Sequence, residues 1–249
     1  MSTRLCLIGI GTGNPEHLTL EAVKAMNAAE VILIPRKGAD KADLAELRRG
    51  ICAEFLKNPG TKLVEFDLPV RDAEKPDYHA GVDEWHDAIA ARWKDILDRE
   101  LPQGGEAALL VWGDPSLYDS TLRIAARLDL PVRVVPGITS MQALTAAHAT
   151  VLNEIGQPFL VTTGRQLREG GWLPGVDTLV VMLDGGCAFQ SLAPEGVEIW
   201  WGAYLGMREQ MIVSGPLAEA GPEILSTRAQ ARAAHGWIMD IYILRRRAG

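Results

Sequence analysis

The chain has 249 residues, of which 47% are hydrophobic and 23% are charged, and its net charge is -7. This composition is typical of a protein that buries one large core or two smaller ones, and the acidic balance argues against a nucleic-acid-binding protein, whose binding face is basic. No apolar run approaches the roughly 18–20 residues of a membrane span and the N-terminus lacks a signal-peptide pattern, so we expect a cytoplasmic protein without a membrane partner.

The first part of the chain alternates short β-branched runs with helical stretches, which indicates a parallel sheet with crossover helices. The predicted strands are residues 4–10, 31–34, 61–66, 106–113 and 132–137, and the predicted helices are residues 19–29, 40–56 and 81–101. The last of these helices has a stripe of large apolar residues on one face, which we interpret as facing the core. Its members are Trp85, Ile89, Trp93, Ile96 and Leu97. A further helix within residues 137–158 is expected to close this first domain.

The pattern changes in the second part of the chain. Strand-like runs at residues 158–164, 177–183, 197–205, 209–217 and 237–245 are separated by Gly- and Pro-rich turns, with little helix between some of them. The sequence therefore predicts an α/β protein of two domains: residues 1–150 with a mainly parallel sheet, and residues 151–249 with a mixed sheet.

The three cysteines, Cys6, Cys52 and Cys187, are widely separated and have no metal-ligand spacing. We expect them to be small buried residues, with no disulfide framework and no metal site.

The first strand ends in three alternate glycines, Gly9, Gly11 and Gly13. A dinucleotide-binding turn needs glycines at its first, third and sixth positions and an acidic residue about 20 positions later. Asn14 occupies the sixth position and Arg36 stands where the carboxylate is expected, so the pattern fails twice. An arginine could still bind a 2′-phosphate, which leaves an NADP-dependent enzyme as an alternative.

Two later strands also end in turns that combine glycine with polar residues. The first is Gly-Asp-Pro-x-x-Tyr at residues 113–118, and the second is Pro-Gly-x-Thr-Ser at residues 136–140. Ligands of open parallel sheets bind beyond the carboxyl ends of the strands. The three turns together therefore predict a ligand site.

The order and spacing of these three turns resemble the tetrapyrrole (corrin and sirohaem) methylases across essentially the whole chain. The resemblance implies the two-domain α/β fold of that family, S-adenosylmethionine bound in the cleft between the domains, and a homodimer. Residues 36–52 and 78–93 look most like the family members that methylate C-1 of precorrin-5 and release its acetyl group as acetate.

The resemblance also implies which residues bind the cofactor. They are Gly113, Asp114, Pro115, Leu117, Tyr118, Thr139, Ser140, Leu183, Ala203 and Tyr204. Leu183 replaces a methionine that is common in the family, and Met182 replaces a tyrosine, so this segment departs from the family pattern.

The resemblance further implies that the tetrapyrrole substrate lies against Gly11, Thr12 and Gly13, with Thr12 in place of the family's commoner proline. Precorrins carry many carboxylates while this chain is acidic, so local positive charge is needed at the site. We expect Arg36 and Arg165 to provide it.

Methyl transfer is an in-line displacement that requires positioning and exclusion of water, without a metal or a covalent nucleophile. Loss of the acetyl group needs a base to activate water. The candidates are His17, His79, His86, Asp114 and Asp184, and the catalytic residues stay unassigned. A sibling methylase that acts at another ring carbon and a non-catalytic tetrapyrrole carrier are the alternative functions.

Overall fold

The computed structural model describes residues 2–36, 42–72 and 77–246. The contacts between Cα atoms divide the chain into a first unit, Met1–Gly11 with Pro15–Ile138, and a second unit, Thr12–Asn14 with Thr139–Gly249. Each unit is built on a five-stranded sheet, which confirms the predicted pair of α/β domains. Among the described residues, no helix is long and apolar enough to cross a membrane.

The sheet of the first unit is parallel and has the strand order β3-β2-β4-β1-β5. Its strands are β1 (Thr3–Gly9), β2 (Val31–Arg36), β3 (Lys62–Asp67), β4 (Gly105–Val111) and β5 (Val132–Val135). Its helices are α1 (Leu20–Ala28), α2 (Ala42–Phe55), α3 (Tyr78–Glu100) and α4 (Thr121–Ala125). All predicted strands and helices of this unit are therefore present, with small differences at their ends, except that residues 40–41 of the second predicted helix lie outside the described residues.

The chain covers the two faces of this sheet with different helices. It moves from β1 through β2 to β3 in one direction along the sheet and then returns to β4 and β5 in the other. Because parallel crossovers are right-handed, α1 and α2 pack on one face and α3 and α4 on the opposite face. The predicted apolar stripe of α3 is confirmed as core: Ile89 and Trp93 are buried, and Trp85 is partly buried beside them.

The sheet of the second unit is mixed and has the strand order β6-β7-β10-β8-β9, in which only β6 and β7 pair in parallel. Its strands are β6 (Phe159–Thr163), β7 (Thr178–Met182), β8 (Val197–Ala203), β9 (Met211–Pro216) and β10 (Asp240–Arg246). Its helices are α5 (Ser140–Ala147), α6 (Gly164–Gly170) and α7 (Leu217–His235). Helix α5 packs on one face of this sheet and α7 on the other.

Two features of the second unit differ from the sequence prediction. Helix α5, which we expected to close the first domain, packs through Leu144 against Val180 and Ile243 of the second sheet, so the units divide between residues 138 and 139 and not between 150 and 151. Helix α7 was not predicted, because it contains Pro222, a residue that normally ends a helix.

The three cysteines are free and buried, as predicted. Burial raises the pKa of the Cys6 and Cys52 thiols to about 11 and also raises the pKa of Cys187.

Three glycines bring the ends of β1, β4 and β5 into direct backbone contact. A Cβ atom on Gly137 would lie 2.1 Å from the carbonyl oxygen of Gly113, and a Cβ on Gly9 would lie 2.5 Å from the nitrogen of Gly137. A side chain at either position would force the turns apart, since a packed interior has no room for an added carbon at these distances.

We expect Gly137→Ala to lower the free energy of unfolding by about 1–3 kcal/mol or more, because the added methyl group overlaps backbone atoms. Gly50→Ala is the matched control: Gly50 lies within α2 and a Cβ there meets nothing within 4 Å, so it should stabilise the protein by about 0.5–1 kcal/mol. Urea denaturation of both variants measures the difference. Equal stability of the two variants would contradict the close contact.

Candidate functional site

The predicted glycine turns lie together at one edge of the sheet of the first unit. The neighbouring strands β1 and β4 continue beyond the sheet as a two-residue bridge, in which the N–H of Gly113 donates to Gly11 O at 2.8 Å and the N–H of Gly11 donates to Gly113 O at 3.3 Å. Gly137, at the end of β5, contacts the same segment. The three turns for which the sequence predicts a ligand site therefore lie next to one another.

Asp114 fixes the turns that follow β4 and β5. Its Oδ2 accepts a hydrogen bond of 2.8 Å from the N–H of Gly137, and its Oδ1 accepts bonds of 2.8 and 2.5 Å from the N–H and the hydroxyl of Ser116. Burial alone would raise the pKa of this carboxyl, but the three donors outweigh burial and hold the pKa below its usual value. Asp114 is thus an ionised anchor of the backbone, which makes it a poor base for activating water.

The turn anchored by Asp114 presents Tyr118 to solvent. The Tyr118 side chain is 44% exposed, and its φ of 49° lies in the left-handed region that non-glycine residues rarely adopt. Gly113 also has a positive φ, of 65°, and a Cβ there would meet nothing within 4 Å. The turn therefore has open space beside its backbone, while Pro115 is buried and Leu117 is half-buried.

Thr139 and Ser140 begin helix α5 in the second unit. The Thr139 hydroxyl accepts from the N–H of Met141 at 3.2 Å and donates to the Gln142 side chain at 2.5 Å, while Gln142 also accepts from the Thr139 N–H. This is a capping box, which satisfies backbone donors at the start of a helix. The Thr-Ser pair therefore has a structural role in addition to any contact with a ligand.

Leu183 follows β7 and is presented in a similar way to Tyr118. It is 65% exposed and has a φ of 52°.

The next residue, Asp184, is buried and fixes the turn through four hydrogen bonds. Its carboxylate accepts from Tyr242 Oη at 2.6 Å, from Arg168 Nη1 at 2.9 Å and from the backbone N–H groups of Gly186 and Ala188. An exposed leucine is therefore held on a fixed and strained backbone.

The same contacts define the charge state of Asp184. Burial raises the pKa of this carboxyl, but the donors, led by Tyr242, outweigh burial and lower the pKa below its usual value. Both carboxylate oxygens are occupied, so Asp184, like Asp114, anchors the backbone and is not a suitable base.

Ala203 and Tyr204 lie at the end of β8 and are both buried. The Tyr204 hydroxyl donates to Trp237 O at 2.5 Å, and its ring makes an edge contact with the Trp237 ring. The Tyr204 hydroxyl and ring are thus both engaged within the second unit.

A positive φ angle is common among the predicted cofactor residues. Five non-glycine residues of the described chain have a positive φ angle, and three of them, Tyr118, Leu183 and Tyr204, are predicted to contact the cofactor. Of the other two, Ala149 directly follows the C-cap of α5 and Cys187 precedes a short 3-10 helix. Backbone strain of this kind is concentrated at ligand-binding sites, because the surrounding structure must hold it.

The predicted substrate residues have different surroundings. Gly11 has a φ of 74° beside the bridge to Gly113, and Gly13 has a φ of 129°. Thr12 is buried, and its hydroxyl has no hydrogen-bond partner among the described residues.

The two arginines predicted to bind the substrate differ in their surroundings. Arg36 forms ion pairs with Asp67 at 3.0 Å and Glu65 at 3.7 Å, so its charge is already compensated. Arg165 is exposed on α6.

The three histidines among the candidate bases are also in different environments. His79 is exposed near the start of α3, and its backbone N–H donates to Asp77 Oδ1. His86 is buried in the first unit, and burial lowers its pKa. His17 lies beside Gly11, where a Cβ on the glycine would be 3.0 Å from the histidine Cβ, and its Nδ1 is buried without a partner in the described chain.

Comparison with known proteins supports the resemblance. The model of the tetrapyrrole (corrin/porphyrin) methylases matches residues 4–221. A precorrin-6A synthase [deacetylating] from Sinorhizobium sp. is 49% identical over 98% of this chain and 96% of its own length. A precorrin-2 C(20)-methyltransferase from the same genus is 31% identical over 55% of both chains.

Solved structures agree with this assignment. The cobalamin synthesis related protein CobF from Corynebacterium diphtheriae is 39% identical, covers 99% of both chains and superposes with a TM-score of 0.85. The uroporphyrin-III C-methyltransferase of Thermus thermophilus, solved with S-adenosyl homocysteine, has a TM-score of 0.56 at 22% identity, which shows a shared fold. With these matches, the chain belongs to the tetrapyrrole (corrin/porphyrin) methylases.

Proposed function

We propose that this methylase transfers a methyl group from S-adenosylmethionine to C-1 of precorrin-5 and releases the acetyl group of that carbon as acetate, which yields precorrin-6A. The observation that carries the proposal is the 49% identity to a precorrin-6A synthase [deacetylating], because the match extends over 98% of this chain. We also expect the enzyme to act in the cytoplasm as a homodimer.

S-adenosylmethionine is proposed to contact the residues that the family resemblance implies. In the first unit these are the turn of residues 113–118, where the space beside Gly113 is open and Tyr118 is exposed. In the second unit they are the start of α5, the exposed Leu183 and the backbone of residues 203–204. An apolar side chain on a rigid turn suits the adenine ring or the methionine arm, because it offers a surface whose position is already fixed.

The cofactor supplies an activated methyl group on a positively charged sulfur. The task of the chain is to hold the accepting carbon in line with that group and to keep water away from it. Rigid turns serve this purpose, since small displacements of the reacting atoms greatly reduce the rate.

Removal of the acetyl group is proposed to precede methylation. Water loses a proton to a base and adds to the acetyl carbonyl; the bond from that carbonyl carbon to C-1 then breaks, acetate leaves, and the electron pair stays on C-1 to accept the methyl group. Since Asp114 and Asp184 are both engaged as anchors, the remaining candidates for the base are His17, His79 and His86.

The test of the function is incubation of the chain with labelled S-adenosylmethionine and precorrin-5, followed by mass and acetate analysis. Methylation at C-1 with one acetate per turnover is the expected result. Methylation at another carbon without acetate would identify a sibling methylase, and binding without methylation would identify a carrier.

The order of the two steps is tested by replacing S-adenosylmethionine with an inert analogue. Acetate formation without methylation supports deacetylation before methylation, and absence of acetate contradicts it.

We expect Gly113→Ala to weaken S-adenosylmethionine binding at least tenfold, a change of about 1.4 kcal/mol, because the new methyl group occupies the space proposed for the cofactor. The control is Gly196→Ala, where φ is 70° and the space is also open. Both variants should lose about 1–2 kcal/mol of stability from left-handed strain. Titration calorimetry on both separates strain from ligand contact, and equal cofactor affinities would exclude the turn from the site.

Leu183→Gly should affect stability and binding in opposite directions. Relief of the left-handed strain should raise the free energy of unfolding by up to about 1 kcal/mol, while loss of the apolar contact should weaken cofactor binding roughly tenfold. Ala149→Gly is the matched control, because Ala149 has the same strain with a φ of 49° but lies outside the proposed site. If both variants bind S-adenosylmethionine as the native chain does, Leu183 does not contact it.

A further inference from the structure

The first unit contains a cavity of about 260 Å³ near the carboxyl ends of β2 and β4. Helices α2 and α3, strand β4 and the turn after β4 contribute to its lining, and Tyr118 of that turn is part of the wall. This volume is below the roughly 300–1,000 Å³ of typical sites for drug-sized ligands. The cavity therefore suits a small molecule or a single side arm of a larger one.

A cation, Arg48, lies in the wall of this cavity. Its Nε donates to the carbonyl oxygen of Leu110 at 2.8 Å and its Nη1 to that of Leu44 at 3.2 Å, while Nη2 has no acceptor among the described residues. Burial lowers the pKa of Arg48 to about 10 and the charge of Asp119 opposes this change, so the guanidinium stays charged at neutral pH.

The one carboxylate in the described lining of the cavity belongs to Asp119. Its Oδ1 accepts a bond of 2.6 Å from the N–H of Thr121, at the start of α4. Arg48 and Asp119 form no direct hydrogen bond or ion pair in the described structure. The guanidinium therefore retains donor capacity toward a ligand.

A second donor in the wall has no partner. The indole Nε1 of Trp93 is buried and makes no hydrogen bond within the described chain, although Trp93 itself is 3% exposed and lines the cavity. A buried N–H without an acceptor is costly, and each such group needs an explanation such as an unseen ligand. Much of the remaining wall is aliphatic, including Leu68 and Ile89.

We propose that this cavity binds a short aliphatic carboxylate, whose oxygens accept hydrogen bonds from the guanidinium of Arg48 and the indole N–H of Trp93, while its hydrocarbon part lies against the aliphatic wall. Arg48 and Trp93 both offer N–H donors that lack acceptors in the described chain, and an anion with a small apolar body satisfies both. The lining also contains the Asp119 carboxylate, whose Oδ1 already accepts from the N–H of Thr121, so the carboxylate of the ligand is placed at Arg48 and Trp93 and away from Asp119.

Two sources could supply such a carboxylate, and this part of the inference rests on the proposed function. One is free acetate, the product of deacetylation; the other is a carboxylate side arm of the tetrapyrrole. Tyr118 links the cavity to the proposed cofactor site, because Tyr118 lines the cavity and is also one of the residues predicted to contact the cofactor.

The first experiment follows the indole N–H resonance of Trp93 by NMR while acetate is added to the full chain, with chloride at equal ionic strength as the control for salt. Trp93→Phe identifies the resonance and removes the donor. If free acetate is the ligand, the resonance shifts and saturates, and Arg48→Met weakens acetate binding by roughly tenfold or more. Arg49→Met is the matched control, because the neighbouring Arg49 pairs with Glu46 and Glu65 away from the cavity, and it should leave the titration unchanged.

The second experiment measures the affinity for precorrin-5 in the same variants without a methyl donor. No response to acetate, together with roughly tenfold weaker precorrin-5 binding in Arg48→Met and a smaller loss in Trp93→Phe, would assign the cavity to a substrate side arm. Arg48→Lys, which keeps the charge, replaces Arg48→Met if the latter does not fold. Unchanged acetate and precorrin-5 binding in all cavity variants would overturn the proposal. Because neither readout needs turnover, a failure of the proposed methyl transfer would be recognised separately.

Discussion

The backbone contact among Gly9, Gly113 and Gly137 is the constraint on which the arrangement of the first unit depends. The carbonyl of Gly113 lies where a side chain of Gly137 would begin, so the turns after β1, β4 and β5 leave the sheet as one packed layer. The hydrogen bonds between Gly11 and Gly113, and between Gly137 and Asp114, continue this layer beyond the sheet. Main-chain atoms and the Asp114 carboxylate hold the layer together, and the Tyr118 side chain makes no hydrogen bond to it among the described residues.

The two units use the same physical device at the ends of their strands. In each, an ionised aspartate, Asp114 or Asp184, accepts several backbone N–H groups of its own turn or of a neighbouring one. Each turn also carries a left-handed residue with a large exposed side chain, Tyr118 or Leu183. The hydrogen bonds to the aspartates fix the backbone conformation of both turns in the folded protein. The free-energy cost of ordering and straining these residues is therefore part of folding and does not reduce the free energy of ligand binding.

Local patterns in the sequence were sufficient for most of the first unit. Helix α1 could be predicted because Thr19 caps it and its buried residues recur with helical spacing. The amphipathic pattern of α5 also predicted a helix, but such a pattern does not specify which sheet the apolar face will cover. Helix α7 was missed because Pro222 marks a break in the sequence, whereas burial of Leu217 and Ile224 keeps this segment helical.

For the proposed site, the sequence indicated the positions of the glycine turns, because turn residues are visible in a local pattern. It did not indicate that Asp114 anchors the backbone, because its partner Gly137 lies 23 residues away in sequence. Arg48 gave no signal, because it stands beside Arg49 in the same helix and only the folded structure directs one arginine to a carbonyl of β4 and the other to surface carboxylates. The anchoring role of Asp184 was hidden for the same reason, since its partner Tyr242 is 58 residues away in sequence.

The burial of the cysteines has a consequence for the chemistry of the whole chain. Thiols react with oxidants and alkylating reagents as thiolates, and the raised pKa values of Cys6, Cys52 and Cys187 keep them protonated in the folded state. Modification therefore requires local opening of the fold. Since Cys6 and Cys52 lie in the first unit and Cys187 in the second, the rates at which the three thiols become labelled report the opening of each unit independently.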